Sequence, residues 1–389
     1  MMQSGNYQIG FILEQTLGHR THTQNLQALV VQDSAVDAQW GLVEWETKGL
    51  AARIPIYNSN WTIRAGLRAR RQIERLQQQH ALDALFIHTQ VPAIFAADWV
   101  RRIPTVISLD ATPWQYDALG AHYAHKQSLP WLERQKWRLN RNCFQSAQHL
   151  VTWSEWTKQS LIADYEVTPD KITVIPPGVY VDEWRRPTPR TADAKRVKIL
   201  FVGGDLQRKG GQIVREAFEV LRWQMGLNNI ELHLVTRDPV MPAPGLYVYR
   251  DMQPNSAALK QIFFDCDIFC LPTYGDCLPM VLSEAGAAGL PSVSTDVGAI
   301  TEIVEPGQTG FVTAPGDVKA VVAALRQLIE QPALRLQLGA QAAELVRRRY
   351  DAQQNTRQLL TLLKQSADKA KRRVTQPSMP TVEPRQMVL

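Results

Sequence analysis

Cysteine is scarce: Cys143, Cys266, Cys270 and Cys277 are the only four in a chain of 389 residues. Their spacing fits neither paired zinc ligands nor a disulfide framework, which points to a reducing compartment, the cytoplasm. Long apolar runs are missing as well, so no segment reads as a membrane span. The N-terminal end lacks the basic, apolar, small-residue order of a signal peptide, and its "IGFIL" reads as a first strand. The positive excess is only +6, well short of the basic footprint that nucleic-acid binding needs. No cluster of acids and histidines suggests a metal site. The triplet Asp265–Cys266–Asp267 mimics a metal-binding acid pair, but it lies where a helix hands over to a strand and reads as structural.

What is present is alternation. "QIGFIL", "ALFIHT", "PTVISL", "HLVTWS" and "ITVIP" read as buried strands in the first half, and "VKILFVGG", "IELHLVT", "LYVYRD", "DIFCLP" and "PSVSTD" in the second. Helix-length segments such as Trp61–Gln79, Leu129–Ser146 and Gln212–Met225 lie between them. Strands separated by helices make parallel sheets covered on both faces, and two series need two sheets. The Pro-rich stretch "PPGVYVDEWRRPTPRTADAKR" marks the break. The expected division is a first unit over 1–185, a second over 186–345, a returning helix over 346–365, and a disordered tail over 366–389.

The chemistry concentrates in the second unit. "PTYGDCLPMVLSEAGAAGLPSVSTDVG" places Asp276 in a loop and Glu284 in the second turn of a helix that otherwise wants burial. Pro279 suits the helix start, and Gly289 with Pro291 ends it. Buried carboxylates are costly unless paired or used. Helical side chains lean back toward the N-terminus, so Glu284 is aimed toward the Asp276 loop. Free N–H donors at that terminus favour an anion. In "ILFVGGDLQRKGGQIVREAF" a Gly-rich loop with Arg208 and Lys209 joins a strand to a helix. Gly203, Gly204, Gly210 and Gly211 permit close approach of a ligand. Its spacing is neither the GxGxxG fingerprint nor a P-loop. A third loop, "STDVGAITEIVEPGQTG", places Gly298 before a helix that carries Glu302. Three such loops at strand ends of one parallel sheet meet at one edge, where α/β folds bind ligands. Acids that accept ribose or sugar hydroxyls, beside donors that hold phosphate, suit a nucleotide-sugar.

These residues resemble the donor half of the retaining glycosyltransferases of family 4 (group 1). The family signature is an acid, seven residues, then Glu, followed by a small-residue helix and G-x-P; here it runs Asp276 to Glu284 in "DCLPMVLSEAGAAGLP". "FVGG…RKGG", "IPPGV" and "TEIVEPGQTGFV" stand at the family's intervals, and the resemblance covers about residues 8–360. It implies an α/β chain of GT-B fold, two Rossmann-like domains facing across a cleft. It also implies a metal-independent, cofactor-free hexosyltransferase working from a nucleoside-diphosphate sugar onto a sugar, glycan or lipid-linked hydroxyl. By resemblance Glu284 holds the ribose and Asp276 the transferred sugar. Arg208 and Lys209 neutralise the diphosphate, assisted by Gly204 and by amides around Cys277, Leu278, Pro279 and Met280, while Gly18 closes over the phosphates. A sugar-nucleotide sensor or partner subunit of the same fold remains the alternative.

The first unit supplies the acceptor side. "LEQTLGHRTHTQNL" follows the first strand and offers His19, Arg20 and His22 in a loop. His88 ends the strand in "FIHTQ", and Asp110, in "SLDATPWQYD", stands where many relatives place a histidine. Arg64, Arg68, Arg71 and Arg75 share one face of the Trp61–Gln79 helix, within a region of thirteen Lys/Arg against six Asp/Glu over residues 51–150. An anionic membrane surface is the partner that such a stripe suggests. Cations before a helix N-terminus repel its dipole slightly, so removing Lys209 is expected to leave stability unchanged or slightly higher.

Overall fold

The computed structural model describes residues 6–16, 18–46, 60–120, 129–191 and 196–375. Two six-stranded sheets, all parallel, form its two layers of framework. The first comprises β1 (Tyr7–Gln15), β2 (Val36–Glu44), β3 (Ala84–His88), β4 (Thr105–Leu109), β5 (His149–Thr152) and β6 (Ile172–Val174), in the order β2-β1-β3-β4-β5-β6. The second comprises β7 (Val197–Val202), β8 (Ile230–Val235), β9 (Leu246–Tyr249), β10 (Ile268–Leu271), β11 (Ser292–Thr295) and β12 (Gly310–Thr313), in the order β12-β11-β10-β7-β8-β9. Each order reverses direction once, at β1/β3 and at β7/β10, and parallel strands open a crevice at such switch points.

The interior strands are mostly apolar, as burial on both faces requires, although β8 also buries Glu231 and His233. Every residue of β3, β4, β8 and β10 is buried. The strands that the alternation did not announce, β2 and β12, are both edge strands. Each is partly exposed and therefore carries a weaker apolar signal. The expected helices occur as Trp61–His80, Pro130–Ser146 and Gly211–Glu219, the last continued by a π-helical turn over Val220–Gln224.

The chain passes between the sheets twice, and the two passages lie together. Val179 donates its N–H to the Tyr350 carbonyl at 2.9 Å, and Ala352 returns one to Val179 at 3.0 Å. A Cβ on Gly178 would sit 2.2 Å from the Ala352 nitrogen, so only glycine allows this approach. Helix Ala352–Thr375 then covers the first sheet, where Leu359, Leu360, Leu363 and Ala367 pack with Ile9, Phe11, Phe86 and Val106. The tail expected from Ser366 therefore starts too early, since Ser366 and Ala367 are buried. The charges that made this stretch look unstructured have partners on the first unit. Asp368 accepts from the Tyr7 hydroxyl at 3.0 Å, and Lys371 pairs with Asp83 at 2.8 Å. Residues 376–389 lie outside the described residues.

Among the described residues no helix is long and apolar enough to cross a membrane. The four-arginine stripe is not presented as a set. Arg64 is buried under the rings of Trp45 and Trp61, and Arg68 donates to the Glu44 carbonyl. Only Arg71 and Arg75 of the four are exposed. The cause is Trp45, whose ring offers Arg64 a face on which to stack.

Candidate active site

At the second switch point the loops after β7 and β10 are locked together by backbone. Tyr274 donates its N–H to the Arg208 carbonyl at 2.9 Å, and the Thr273 hydroxyl donates to the same oxygen at 3.1 Å. Gly210 adopts φ +77, and a Cβ there would meet the Pro272 carbonyl at 2.0 Å. The third loop joins them. A Cβ on Gly298 (φ +59) would lie 2.2 Å from the Asp276 carbonyl, and Ala299 donates to the Cys277 carbonyl at 2.8 Å. The three Gly-containing loops thus meet at one edge, around Asp276.

The charges there are arranged differently from the sequence expectation. Lys209 Nζ donates to both oxygens of Asp276, at 2.6 and 2.8 Å. Arg208 donates to the Gly275 carbonyl at 2.6 Å and lies 3.5 Å from the same carboxylate. The side chains of Lys209 and Asp276 are only 16% and 9% exposed, so this is a mostly buried ion pair. Asp276, expected to hold the sugar, holds the lysine. The stability expectation for Lys209 is accordingly overturned: removing it strands a buried carboxylate, which outweighs any relief of dipole repulsion. Both cations also stand before Gly210, the left-handed cap, rather than within the helix.

Helix Met280–Ala287 starts one residue later than read, with Pro279 as its cap. The N–H groups of Met280 and Val281 have no acceptor within the helix and face its open end. Cys277 and Leu278 are buried beside it, while Gly204 has open space where a Cβ would be. Glu284 is buried, and among the described residues no hydrogen bond to its carboxylate is found. Burial pushes its carboxyl up to about 7, against a weaker pull from Lys260. The structure gives no contact between Glu284 and Asp276. The Asp265–Asp267 pair is structural: Asp265 ends a helix, and Asp267 accepts the Lys198 N–H at 2.9 Å.

The acceptor-side candidates gather at the first switch point. His19 and His22 belong to a helix, His19–Val30, whose N-cap is Gly18, so they are not loop residues. Both are buried, as are His88 and Asp110; Arg20 stays exposed. Gly18 has nothing within 4 Å of a Cβ position, which leaves its outer side open. His19 Nδ1 lies 2.6 Å from Glu14 Oε1, and its Nε2 lies 3.5 Å from Asp110 Oδ2. The Tyr116 hydroxyl donates to that Asp110 oxygen at 2.7 Å. Burial disfavours the charged imidazole, but hydrogen bonds to Asp110 and Glu14 outweigh it and raise His19 to about 10. Burial and the neighbouring His19 charge lower His22 to about 3 and hold His88 well below its ordinary value.

Trp153 completes the cluster. His88 stacks on it at 4.9 Å and 8°, and His22 meets it edge-on at 5.1 Å. Glu14 Oε2, His22 Nε2 and both His88 ring nitrogens are buried without a hydrogen-bond partner. Among the described residues no group of three His, Cys, Asp or Glu has a metal-binding arrangement. Glu14, Tyr116 and Trp153 were missed by sequence reasoning. A usable signal existed for Glu14, a lone acid ending the apolar run "IGFIL".

The two edges are joined across the units. Glu302 accepts the N–H groups of Glu155 at 3.0 Å and Trp156 at 2.9 Å, capping helix Glu155–Ala163 of the first unit from a short 3-10 turn of the second. Asn255 donates to Asn25 at 2.9 Å beside the same crevice.

Comparison with known proteins gives this geometry a context. The family description "Glycosyl transferases group 1" matches residues 196–331, and "Glycosyltransferase Family 4" matches residues 30–183. D-inositol 3-phosphate glycosyltransferase of Corynebacterium glutamicum is 24% identical over 286 residues, covering 60% of this chain and 68% of that protein. Glycogen synthase of Mycobacterium tuberculosis is 29% identical over 353 residues, covering 82% of this chain and 77% of that protein. Anabaena Alr3699/HepE, solved in complex with UDP-glucose, superposes with a TM-score of 0.66 at 16% identity, over 92% of this chain and 99% of that chain.

Proposed function

The chain belongs to the group 1 glycosyltransferases, with the GT-B fold, and from that premise we propose that it moves a sugar from a nucleoside diphosphate to a hydroxyl of a sugar, glycan or glycolipid, retaining the donor's configuration and needing no divalent metal or cofactor. The observation that carries this reading is the set Arg208, Lys209, Asp276 and Glu284 at the β7/β10 switch point. A departing nucleoside diphosphate needs fixed positive charge more than it needs a base. Arg208 and Lys209 supply that charge, and the Met280 and Val281 amides add donors. Glu284, without a protein partner, accepts the ribose hydroxyls. Asp276 releases Lys209 to the phosphates and turns to the sugar, so binding of the donor exchanges one partner of the lysine for another. On the opposite edge, the fixed cation of His19 between Glu14 and Asp110 shapes the acceptor side. UDP-glucose in the Anabaena neighbour supports a nucleotide-sugar donor.

Thermal shift against UDP-, GDP- and ADP-sugars identifies the donor, and NMR of the product reads its anomeric configuration. Transfer is expected to survive a chelator. Loss of turnover restored by magnesium or manganese overturns metal independence, and an inverted product overturns retention. Of the four-arginine stripe, Arg71 and Arg75 are the two left exposed to contact an anionic membrane surface, so the stripe by itself supports only weak binding to anionic vesicles.

A further inference from the structure

Glu302, which the sequence places just after the third glycine loop, takes no part in the steps above. Its backbone belongs to the donor edge. The Ala299 N–H bonds the Cys277 carbonyl at 2.8 Å, and the Glu302 N–H bonds the Ala299 carbonyl at 3.0 Å. Ile300, Ile303 and Val304 around it are buried in the core of the second unit. Its carboxylate belongs to the other edge. Oε2 accepts the Glu155 N–H at 3.0 Å and Oε1 the Trp156 N–H at 2.9 Å, and the side chain is only 16% exposed.

Those two amides open a helix, Glu155–Ala163, that is tied directly to the acceptor edge. Trp153, just before it, bonds the Leu109 carbonyl through its N–H at 3.1 Å and stacks its ring on His88. One turn in, the Thr157 hydroxyl donates to the Asp110 carbonyl at 2.6 Å. Gln115, the neighbour of Tyr116, donates to the Trp156 carbonyl at 2.8 Å. A short run of hydrogen bonds thus joins the Asp276 loop to Asp110 through Glu302.

Folding of that helix does not require this acid. A helix leaves its first N–H groups unpaired, but Ser154 already caps this one, accepting the Thr157 N–H at 3.1 Å. Glu302 is a second cap, supplied from the opposite unit, and the positive end of the helix dipole favours it. The crossing segment holds it as well. Arg349 and Tyr350 donate to the Glu302 carbonyl at 3.3 and 3.1 Å, and Arg349 lies 3.5 Å from the carboxylate. One residue is therefore held by the donor loop, by the segment that returns to the first unit and by the acceptor-side helix. A local cap cannot fix the spacing between two units; this one does.

We propose that Glu302 is a positioning residue that sets the span of the crevice, holding the acceptor edge where an acceptor hydroxyl reaches the donor sugar. This rests on the transferase reading above and adds to it the contact that aligns the two substrates.

Two variants cut the contact from opposite sides in the full-length chain. Glu302→Ala removes the acceptor. Glu155→Pro removes one donor and keeps the helix, because proline suits the first helical position and the preceding Ser154 is already extended. Turnover is read as nucleoside diphosphate released from UDP-, GDP- and ADP-glucose, offered with a mixed set of free sugars, oligosaccharides and alkyl glucosides. The span is read from pairs of spin labels, one on an exposed site of each unit. Glu302→Ala lowers kcat by about 10–100-fold, the scale of a misplacement near 1 Å, leaves donor KM unchanged and broadens the label distances. Glu155→Pro lowers kcat by a smaller factor, and the double variant is no slower than Glu302→Ala, since both cut one contact. An unchanged kcat in Glu302→Ala overturns the proposal, as do label distances that stay as in wild type. So do losses that multiply in the double variant, or a donor KM that rises as kcat falls, which marks damage to the donor loop. Broadened distances in Glu302→Ala, with no diphosphate released by any protein, keep the clamp and reject the transferase reading.

Discussion

The two edges of the crevice handle buried charge in opposite ways. On the β7/β10 side, Arg208 and Lys209 both reach Asp276, and Arg208 also pairs with the exposed Asp205 at 3.3 Å, in a cluster that retains some contact with water. On the β1/β3 side, one cation, His19, is shared by two acids, Glu14 and Asp110, and all three are buried with His22, His88 and Trp153. The first arrangement pairs its cations with acids at a partly open edge, and its bonds can be exchanged when a diphosphate arrives. The second has negative charge in excess and bonds that have nowhere else to go. A switchable pair and a locked triad across one crevice separate the task of binding a polyanion from that of holding a fixed shape.

The largest test of this contrast is Lys209→Ala. With donor saturating, turnover falls by about 10²–10³, the usual loss for one electrostatic donor to a transition state. Urea unfolding shows lower stability, because Asp276 is left buried and unpaired. Adding Asp276→Asn restores stability without restoring turnover. If the double variant is as unstable as the single one, the pair is not what holds the two loops.

His19→Ala breaks the locked side. Glu14 and Asp110 then face each other without a cation, and unfolding free energy drops by about 3–5 kcal/mol, with donor binding unchanged. Histidine NMR of the wild type checks the charge directly: His19 stays protonated until about pH 10, and His22 stays neutral down to about pH 3. The His19 contribution, from a pKa raised on folding, is complete below pH 6.5 and is lost as pH climbs through 10. A His19 resonance titrating near 6.5 rejects the lock.

Glu284→Gln probes the partnerless acid. Its folded pKa is raised from 4.5 to about 7, so the folded state holds the extra proton between those values. Stability therefore falls as pH rises from 4.5 to 7 and stays low above that. The glutamine variant is expected to gain up to about 3 kcal/mol at pH 8 and nothing at pH 4, while donor affinity falls. An equal change in stability at both pH values contradicts the burial argument.

The smallest effect is reserved for Gly18→Ala. The open space around Gly18 and its ordinary φ of −67 predict a stability change below about 1 kcal/mol. Donor KM rises severalfold if the phosphates pass close by, and an unchanged KM removes Gly18 from the site.

Legibility followed the same contrast. The donor edge was readable because its residues come in short contiguous runs, "RKGG" and the Asp276–Glu284 spacing, each tied to a helix start. Its internal pairing was not readable, since Lys209 and Asp276 lie 67 positions apart and only the β7/β10 adjacency joins them. The acceptor edge draws Glu14, His19, His88, Asp110 and Trp153 from different strand ends, so His19, His88 and Asp110 could be named only one by one and Glu14 and Trp153 were missed. The interior strands declared themselves by composition, whereas β2 and β12 at the sheet edges did not. The final helix was cut short at Gln365 because Asp368 and Lys371 look like solvated charges until their partners on the first sheet are seen.

Helix Ala352–Thr375 has a consequence for how the protein comes into being. A ribosome releases the first sheet long before Leu359, Leu360 and Leu363, which cover Phe11, Phe86 and Val106. At about 5–20 residues per second, the nascent first half waits on the order of ten seconds or more with an apolar face uncovered. The segment that looks like an independent domain is thus a client for chaperones until translation nears its final residues, and a fragment ending at the interdomain linker keeps that sticky face for good.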